Sequence, residues 1–420
     1  MRALPPLHDW LALEHRVAEI LTEQEIHGWY FDESKGQQLE SHLRREMEEV
    51  TEILRGQFPL IGGKMFTPKR NNASQGYIEG SQLQRLIEFN PTSRDHIAWI
   101  LQNRLKITLT QTTTTGKLII DEITLKEIDH PFCKFCAKAL DLKKKLGMIS
   151  QGVNAWLKLC TTSSRLHHHC SVSTNTFRCA HRKPNLAQVP ADEKFRKLFT
   201  ASPGMTMVGA DLSGIELRML AHYLGRYDGG RYADILLNGD IHQVNADKIG
   251  ISRRQVKTVS YAFLYGAGNL KLGLSYDPQL SESQAARKGK EIRSAYVEAI
   301  DGLAELITAV NVKAKQGYLM AIDSRKVLVD SPHKGLNYLL QCGAGVVAKR
   351  WMLIANDAKD IHTKQLAFVH DELQYETNPD GAKILMSVLE ESARLAGEYY
   401  NLRCPIAAEA KQGLTWADVH

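Results

Sequence analysis

The chain has 420 residues, 53 Lys and Arg against 47 Asp and Glu for a formal net charge of +6, and 43% hydrophobic residues. No apolar run approaches the ~20 residues that span a bilayer, and the N-terminal MRALPPLHDW has no apolar signal core, so a membrane-spanning or exported protein is not expected. Seven scattered cysteines fit reduced thiols better than a disulfide framework, and basic residues bunch in LDLKKKLG, SSRLHHH and RCAHRK, where either a polyanionic partner or plain solvated faces would account for them.

Leu39, Leu43, Met47, Val50 and Leu54 recur at three- and four-residue steps, which predicts one apolar face of a helix. Phe58–Gln82 is broken by Gly, Pro, Asn and Ser and reads as an irregular connection. Helical periodicity resumes over Leu83–Leu105, Gln111–Ile120 reads as a loop followed by a short strand, and Phe132–Leu159 is helical again. Without repeats or low-complexity linkers, the chain is expected to be one continuous assembly of lobes.

Three segments carry chemistry. The strand-like MTMVGA (Met205–Ala210) gives way to the helix-like GIELRMLAHYL (Gly214–Leu224), with Asp211 at the join. Asp211 is either a cation ligand or, like Ser213, a helix cap. In GISRRQVKTVSYAFLYGAG, Ser252 and Gln255 have capping-box spacing, so a helix starts there. Arg253, Lys257 and Tyr261 then form one stripe, with Tyr265 a turn further and Gly266 and Gly268 at the end. Such a stripe suits a nucleoside triphosphate, although an exposed helix face has the same pattern. In LAFVHDELQYE two alternating runs flank His370, Asp371 and Glu372, as in a hairpin with charges at its turn. Charge beside buried strands carries a desolvation cost that a cation would offset. Together these are the inventory for phosphoryl transfer on two metal ions.

DLSGIELR, RRQVKTVSYAFLYG and VHDE resemble motifs A, B and C of the family A DNA polymerases. FNPTSRDHI, KPNLAQVP, LAHYLGRYDGGRYADILLNGDIH, DSRKVLVDSPHKGLNYLLQCGAG and LTWADVH are similar to the bacteriophage T-seven-like branch. The resemblance implies an α+β, mostly helical right-hand fold. Residues 1–33 would pack on the palm, Ser34–Lys158 form the thumb, Leu159–Ala221 and Gly335–His420 the palm with an antiparallel sheet, and His222–Lys334 the fingers. It implies template-directed extension of a primer 3′-OH with dNTPs, using two Mg²⁺ ions, for which Mn²⁺ substitutes. Asp211, Asp371 and the Leu212 carbonyl would hold the metals, and Glu372 would support the primer end or the metal cluster. Arg253, Lys257 and His242 would hold the triphosphate, with Lys257 a proton donor to the leaving pyrophosphate. Glu216 would exclude a ribose 2′-hydroxyl, Tyr261 would lie by the incoming sugar and base, and Tyr265 by the templating base. Arg178, Gln188, Asn337, Gln341 and His370 would contact primer–template near its minor groove.

The departures carry expectations too. Family-like text begins almost at Met1, so no proofreading exonuclease domain is expected, and a separate exonuclease and a phage helicase or primase are the partners the resemblance admits. Phe58–Phe89 is too short for the thumb insertion that recruits thioredoxin, so thioredoxin is not expected to bind. STNTFR replaces a TGR-like stretch before KPNLAQVP, and HHHC precedes it. A zinc site joining Cys133 and Cys136 with His167–Cys170, or with Cys179 and His181, is the weaker reading, because CxxC within a helical pattern packs. The resemblance places the protein in the cytoplasm of an infected bacterial host. Two rival functions are a single-subunit RNA polymerase-like enzyme and an inactive polymerase fold that only binds DNA.

Overall fold

A computed structural model describes residues 8–107, 109, 116, 118–172, 174–278 and 280–420. The chain divides into two compact units, Met1–Glu33 with Leu159–His420, and Ser34–Lys158. It opens with α1 (Asp9–His27), whose Leu13, Val17, Ile20 and Leu21 are buried, and β1 (Trp29–Phe31).

The second unit begins along α2 (Glu33–Gln57), which buries Leu39, Leu43, Val50 and Leu54 as their spacing predicts. Next comes an antiparallel pair, β2 (Leu60–Phe66) and β3 (Leu83–Glu88), which corrects two expectations. The supposed irregular connection begins with a strand, and residues 83–88 are strand rather than helix. Leu83, Leu86 and Ile87 mimic helical spacing, yet Leu86 is 62% and Ile87 39% exposed, so no buried face imposed that period. Gly63 marks close strand approach rather than a break, since a Cβ there would lie 3.1 Å from the Arg85 carbonyl oxygen. The unit continues with α3 (Arg94–Asn103), capped by Ser93, and α4 (Glu122–Glu127). It ends with α5 (Pro131–Leu146), a π-turn over Gly147–Gln151, and α6 (Trp156–Leu159), where the chain returns to the first unit. Residues 111–115 and 117 of the expected loop and strand lie outside the described residues. Cys133 and Cys136 are buried on α5, packing as expected.

In the first unit, β4 (Arg165–Leu166) pairs with β1, and β5 (His169–Ser171) pairs with β6 (Ala180–Arg182). After α7 (Glu193–Arg196), β7 (Phe199–Thr200) takes the other side of β1. Then come β8 (Thr206–Leu212) and α8 (Ile215–Leu224), as MTMVGA–GIELRMLAHYL predicts. A helical run follows: α9 (Arg231–Asn238), α10 (Ile241–Ile249), α11 (Arg253–Leu264), α12 (Asn269–Tyr276), α13 (Glu282–Ala299) and α14 (Leu303–Ala314). The small pair β9 (Tyr318–Met320) and β10 (Lys326–Leu328) leads to α15 (Gly335–Ala358), the hairpin β11 (Lys364–Val369) and β12 (Glu372–Thr377), α16 (Ala382–Tyr399) and β13 (Ala408–Gly413). The central sheet is antiparallel in the order β11-β12-β8-β13.

Helix α15 is buried over most of its length, from Leu336 through Trp351 to Ala355. A Cβ on its Gly345 would sit 3.1 Å from the Thr176 carbonyl oxygen and 3.2 Å from Phe177, so only glycine admits the loop that carries Arg178 at this distance. One buried ion network ties α1 to this core. Glu14 accepts from Lys349 Nζ at 2.7 and 2.8 Å and from Arg325 Nη1 at 2.5 Å, and Lys349 is 1% exposed.

Removing Glu14 strands a buried ammonium, which costs on the order of 3–5 kcal/mol. Glu14→Ala should therefore lower the urea midpoint of the first unit sharply, and Glu14→Ala/Lys349→Met should recover much of the loss by removing the stranded charge. Equal destabilisation in both variants would mean that lost packing, not lost charge pairing, sets the cost.

Candidate active site

Strand β8 is buried along its length except at Asp211. The sheet register sets Asp211 opposite Glu372 on β12 and Glu409 on β13. Val369 and Glu372 pair across a two-residue turn, His370–Asp371, with His370 at φ 60°. The Leu212 N–H donates to the Asp371 carbonyl oxygen at 3.0 Å, which closes the end of β8 onto that turn. The helix-cap reading of this junction does not hold. The N-cap of α8 is Gly214, in the left-handed region at φ 55°, and no side chain caps it.

Two carboxyls thus meet at one sheet end, and both are perturbed. Burial, then the charges of Asp211 and Glu216, pushes Asp371 up to about 7, against a smaller opposing pull from Arg178. Burial, then the Glu372 charge, pushes Asp211 up to about 6, although its outer side is open to solvent. Neither carboxyl is ion-paired among the described residues.

Beside them, Glu216 is 6% exposed and engaged twice. Arg178 Nη2 lies 2.5 Å from its carboxylate, and the Tyr265 hydroxyl donates to the same oxygen at 3.0 Å. The Arg178 guanidinium also lies 6.0 Å from the Tyr265 ring centroid.

Helix α11 starts with the expected capping box, Ser252 to Gln255. Lys257 is exposed, and Arg253 pairs with Asp240 at 2.6 Å. Tyr261 is half-buried, 6.3 Å from the His242 ring. Its hydroxyl is pushed up first by burial, then by the charges of Glu216, Asp371 and Asp211, so the tyrosine stands in the field of the carboxylate cluster. Asn337 Nδ2 donates to the Leu264 carbonyl at 2.5 Å, which holds the end of α11 to α15, and Gln341 follows one turn along α15. His370 is exposed at the turn, its ring 6.2 Å edge-on from His181, and Gln188 is exposed in a short turn after β6.

Glu372 is more enclosed than the sequence suggests. Its carboxylate accepts from Trp416 Nε1 and Gln374 Nε2, each at 2.5 Å, and His420 Nδ1 lies 3.2 Å away. Neither Trp416 nor His420 stands in a periodic or motif-like pattern that marks it as part of the site. The one available signal was a tryptophan in the non-periodic ending LTWADVH.

A family model described as DNA polymerase family A matches residues 71–418. The chain is 30% identical to the DNA-directed DNA polymerase of Enterobacteria phage T3, over 498 residues that cover 97% of this chain and 70% of that protein. The same figures hold for the DNA-directed DNA polymerase of Escherichia phage T7. Both matches are longer than this chain, so the phage proteins carry segments without counterpart here. Among solved structures, the POL domain of Pol1 from M. smegmatis, in complex with DNA primer-template and dNTP, superposes with a TM-score of 0.77 at 21% identity. That match covers 97% of this chain and 70% of that one, and supports the fold alone.

The raised carboxyls set a pH dependence. With folded-state values of about 6 and about 7 against 3.8 for an ordinary aspartate, their stabilising contribution is full below about pH 4 and is lost as pH rises through 6 to 7. In EDTA at pH 8, Asp371→Asn should melt at a higher temperature than the wild type, and the difference should shrink toward pH 4. Equal melting at pH 8 would mean that Asp371 carries no repulsion in the metal-free protein.

Proposed function

Because the chain belongs to DNA polymerase family A and is a DNA-directed DNA polymerase, we propose that it extends a primer 3′-hydroxyl along a template strand, with Asp211 and Asp371 as the shared ligands of two divalent ions. The observation that carries this reading is the carboxyl pair locked at the end of β8 by the Leu212–Asp371 backbone bond. The donor set fits the ions. Both are hard oxygen ligands, both are raised by burial and like charge, and neither has an ion-pair partner among the described residues, so Mg²⁺ or Mn²⁺ would relieve a repulsion the fold maintains. The Leu212 carbonyl lies next in the chain as a further oxygen ligand. When bound, such ions favour ionisation of the attacking hydroxyl and neutralise charge on the triphosphate.

The remaining roles belong to side chains. Arg253, Lys257 and His242 bind the triphosphate, Arg253 exchanging Asp240 for phosphate, and Lys257 passes a proton to the leaving pyrophosphate. Glu216, held by Arg178 and Tyr265, excludes a ribose 2′-hydroxyl, and Tyr265 borders the templating base. Arg178, Gln188, Asn337, Gln341 and His370 line the minor-groove side of the primer–template. Acceptors there are nearly alike for every base pair, so they report pair geometry rather than sequence. Glu372, already accepting from Trp416 and Gln374, supports the primer end or the metal cluster from beside the metal ligands. We assign Ser34–Lys158 to the thumb, Leu159–Ala221 and Gly335–His420 to the palm, and His222–Lys334 to the fingers. The division of the chain after Glu33 and Lys158 supports the thumb limits.

We assign no nuclease chemistry to these residues and no thioredoxin site to Phe58–Phe89. The phage relatives support a role in phage genome replication in the host cytoplasm, where a separate exonuclease and a helicase or primase are the proposed partners. The RNA polymerase-like reading is disfavoured by Glu216 at the sugar, and the inactive-scaffold reading by the complete set of carboxylates and cations.

In a Mg²⁺-dependent primer-extension assay, Asp211→Asn and Asp371→Asn should each reduce turnover by about 10³-fold or more while primer–template binding, read by fluorescence anisotropy, persists. Loss of only a few-fold would remove both from the metal ligands.

Tyr261 presents a ring hydroxyl where the substrate 3′-OH would lie. The wild type should therefore accept dideoxynucleotides readily, and Tyr261→Phe should discriminate against them, by up to ~10⁴-fold if the site then depends on the substrate's own hydroxyl. Equal dNTP/ddNTP competition in both proteins would place Tyr261 away from the sugar.

A further inference from the structure

We propose that His168, Cys170 and His181 form a zinc site behind the β5–β6 ribbon, separate from the carboxylate centre. The strand period brings them together. His168 immediately precedes β5, two residues from Cys170, and Cys170 pairs directly opposite His181 on β6. All three are buried, at 0%, 7% and 8% exposure, and their ligand atoms lie within 4.8 Å of one another. Tetrahedral zinc, with Zn–N near 2.0–2.1 Å and Zn–S near 2.3 Å, needs ligand separations of about 3.3–3.6 Å. Cys170 Sγ and His181 Nδ1 are already 3.2 Å apart, and the rings of His168 and His181 lie nearly parallel with centroids 6.0 Å apart.

A purely hydrogen-bonded core accounts for this cluster poorly. The Gln24 side-chain amide sits over it, with its Nε2 3.0 Å from His168 Nε2 and 3.6 Å from Cys170 Sγ. These contacts leave His168 Nδ1 and His181 Nε2 buried without a partner among the described residues, a costly arrangement for imidazoles this enclosed. A metal bound through His168 Nε2, Cys170 Sγ and His181 Nδ1, the atoms that face Gln24 and one another, does not reach those two nitrogens but offsets their cost with coordinate bonds. Gln24 is 1% exposed and, turned about its terminal bond, offers its carbonyl oxygen as a fourth ligand. Gln365, which donates to Gln24 at 2.8 Å and accepts from the Tyr375 hydroxyl at 2.9 Å, reverses with it, because a phenol oxygen both donates and accepts. Two imidazoles and a thiolate select zinc over magnesium, so the site does not compete for the catalytic ions. Binding displaces the Cys170 proton to solvent.

The site's work is structural. It joins α1, through Gln24, to the ribbon whose connecting loop carries Arg178, and His181 abuts His370 beside Asp371.

The test uses the full chain, purified without a histidine tag, stripped with chelator and titrated with Zn²⁺ alone or Co²⁺ alone. One equivalent of zinc should survive gel filtration and raise the melting temperature by several degrees. Cobalt should give tetrahedral d–d bands and a thiolate charge-transfer band in the near ultraviolet. That band should vanish in Cys170→Ser and change in His181→Asn, and should persist in Cys133→Ser/Cys136→Ser. A wild-type cobalt spectrum with no thiolate band overturns the proposal without recourse to variants. So does a band that survives in Cys170→Ser.

Discussion

Leu212 donates its backbone N–H to the carbonyl of Asp371, and through that 3.0 Å bond two acidic side chains more than 150 residues apart in sequence are held at one end of one sheet. Two elements of the first unit meet at this point. β8 brings Asp211, buried on the way and open only there. The two-residue turn between β11 and β12 brings Asp371, at the cost of a left-handed His370. Folding alone would not favour such an arrangement, since burial and like charge push the two carboxyls to about 6 and about 7. The unfavourable pair is maintained by the sheet around it, as expected where a ligand supplies the missing positive charge.

Around the pair, side chains hold one another rather than the carboxylates. Arg178 and Tyr265 both bind Glu216, Arg253 binds Asp240, and Trp416 and Gln374 bind Glu372. The cations of α11 are already engaged or solvated, so on the proposed reading a triphosphate would exchange partners rather than fill an empty charge. Gly345 is what lets the Arg178 loop reach this cluster from its seat against α15.

Much of this was legible in the sequence, for identifiable reasons. The strand–helix join at Asp211, the capping box at Ser252 and the hairpin at His370–Asp371 each combine a period with a stop signal, and all three formed where expected. The β2–β3 pair was not legible. Its strands are largely exposed, so no burial period marked them, and Gly62 and Gly63 read as loop punctuation. The helix-cap alternative for Asp211 was open in sequence because Gly214, which takes the cap position, gives no polar signal. The Glu372–Trp416–His420 contacts arise from the end of the chain folding back on β12, a tertiary event without local pattern. The histidines and cysteines were visible, but the set that assembles among the described residues is His168, Cys170 and His181, not one that includes the CxxC pair, which packs within α5.

The central claim is that the Asp211–Asp371 pair is the seat of the catalytic ions. Its most direct test is anomalous diffraction from crystals of the protein with a dideoxy-terminated primer–template, a dNTP and Mn²⁺. The account predicts manganese peaks bridged by both carboxylates at the end of β8, with the triphosphate reaching Arg253 and Lys257. Manganese bound elsewhere, with Asp211 or Asp371 outside its coordination shell, would contradict it.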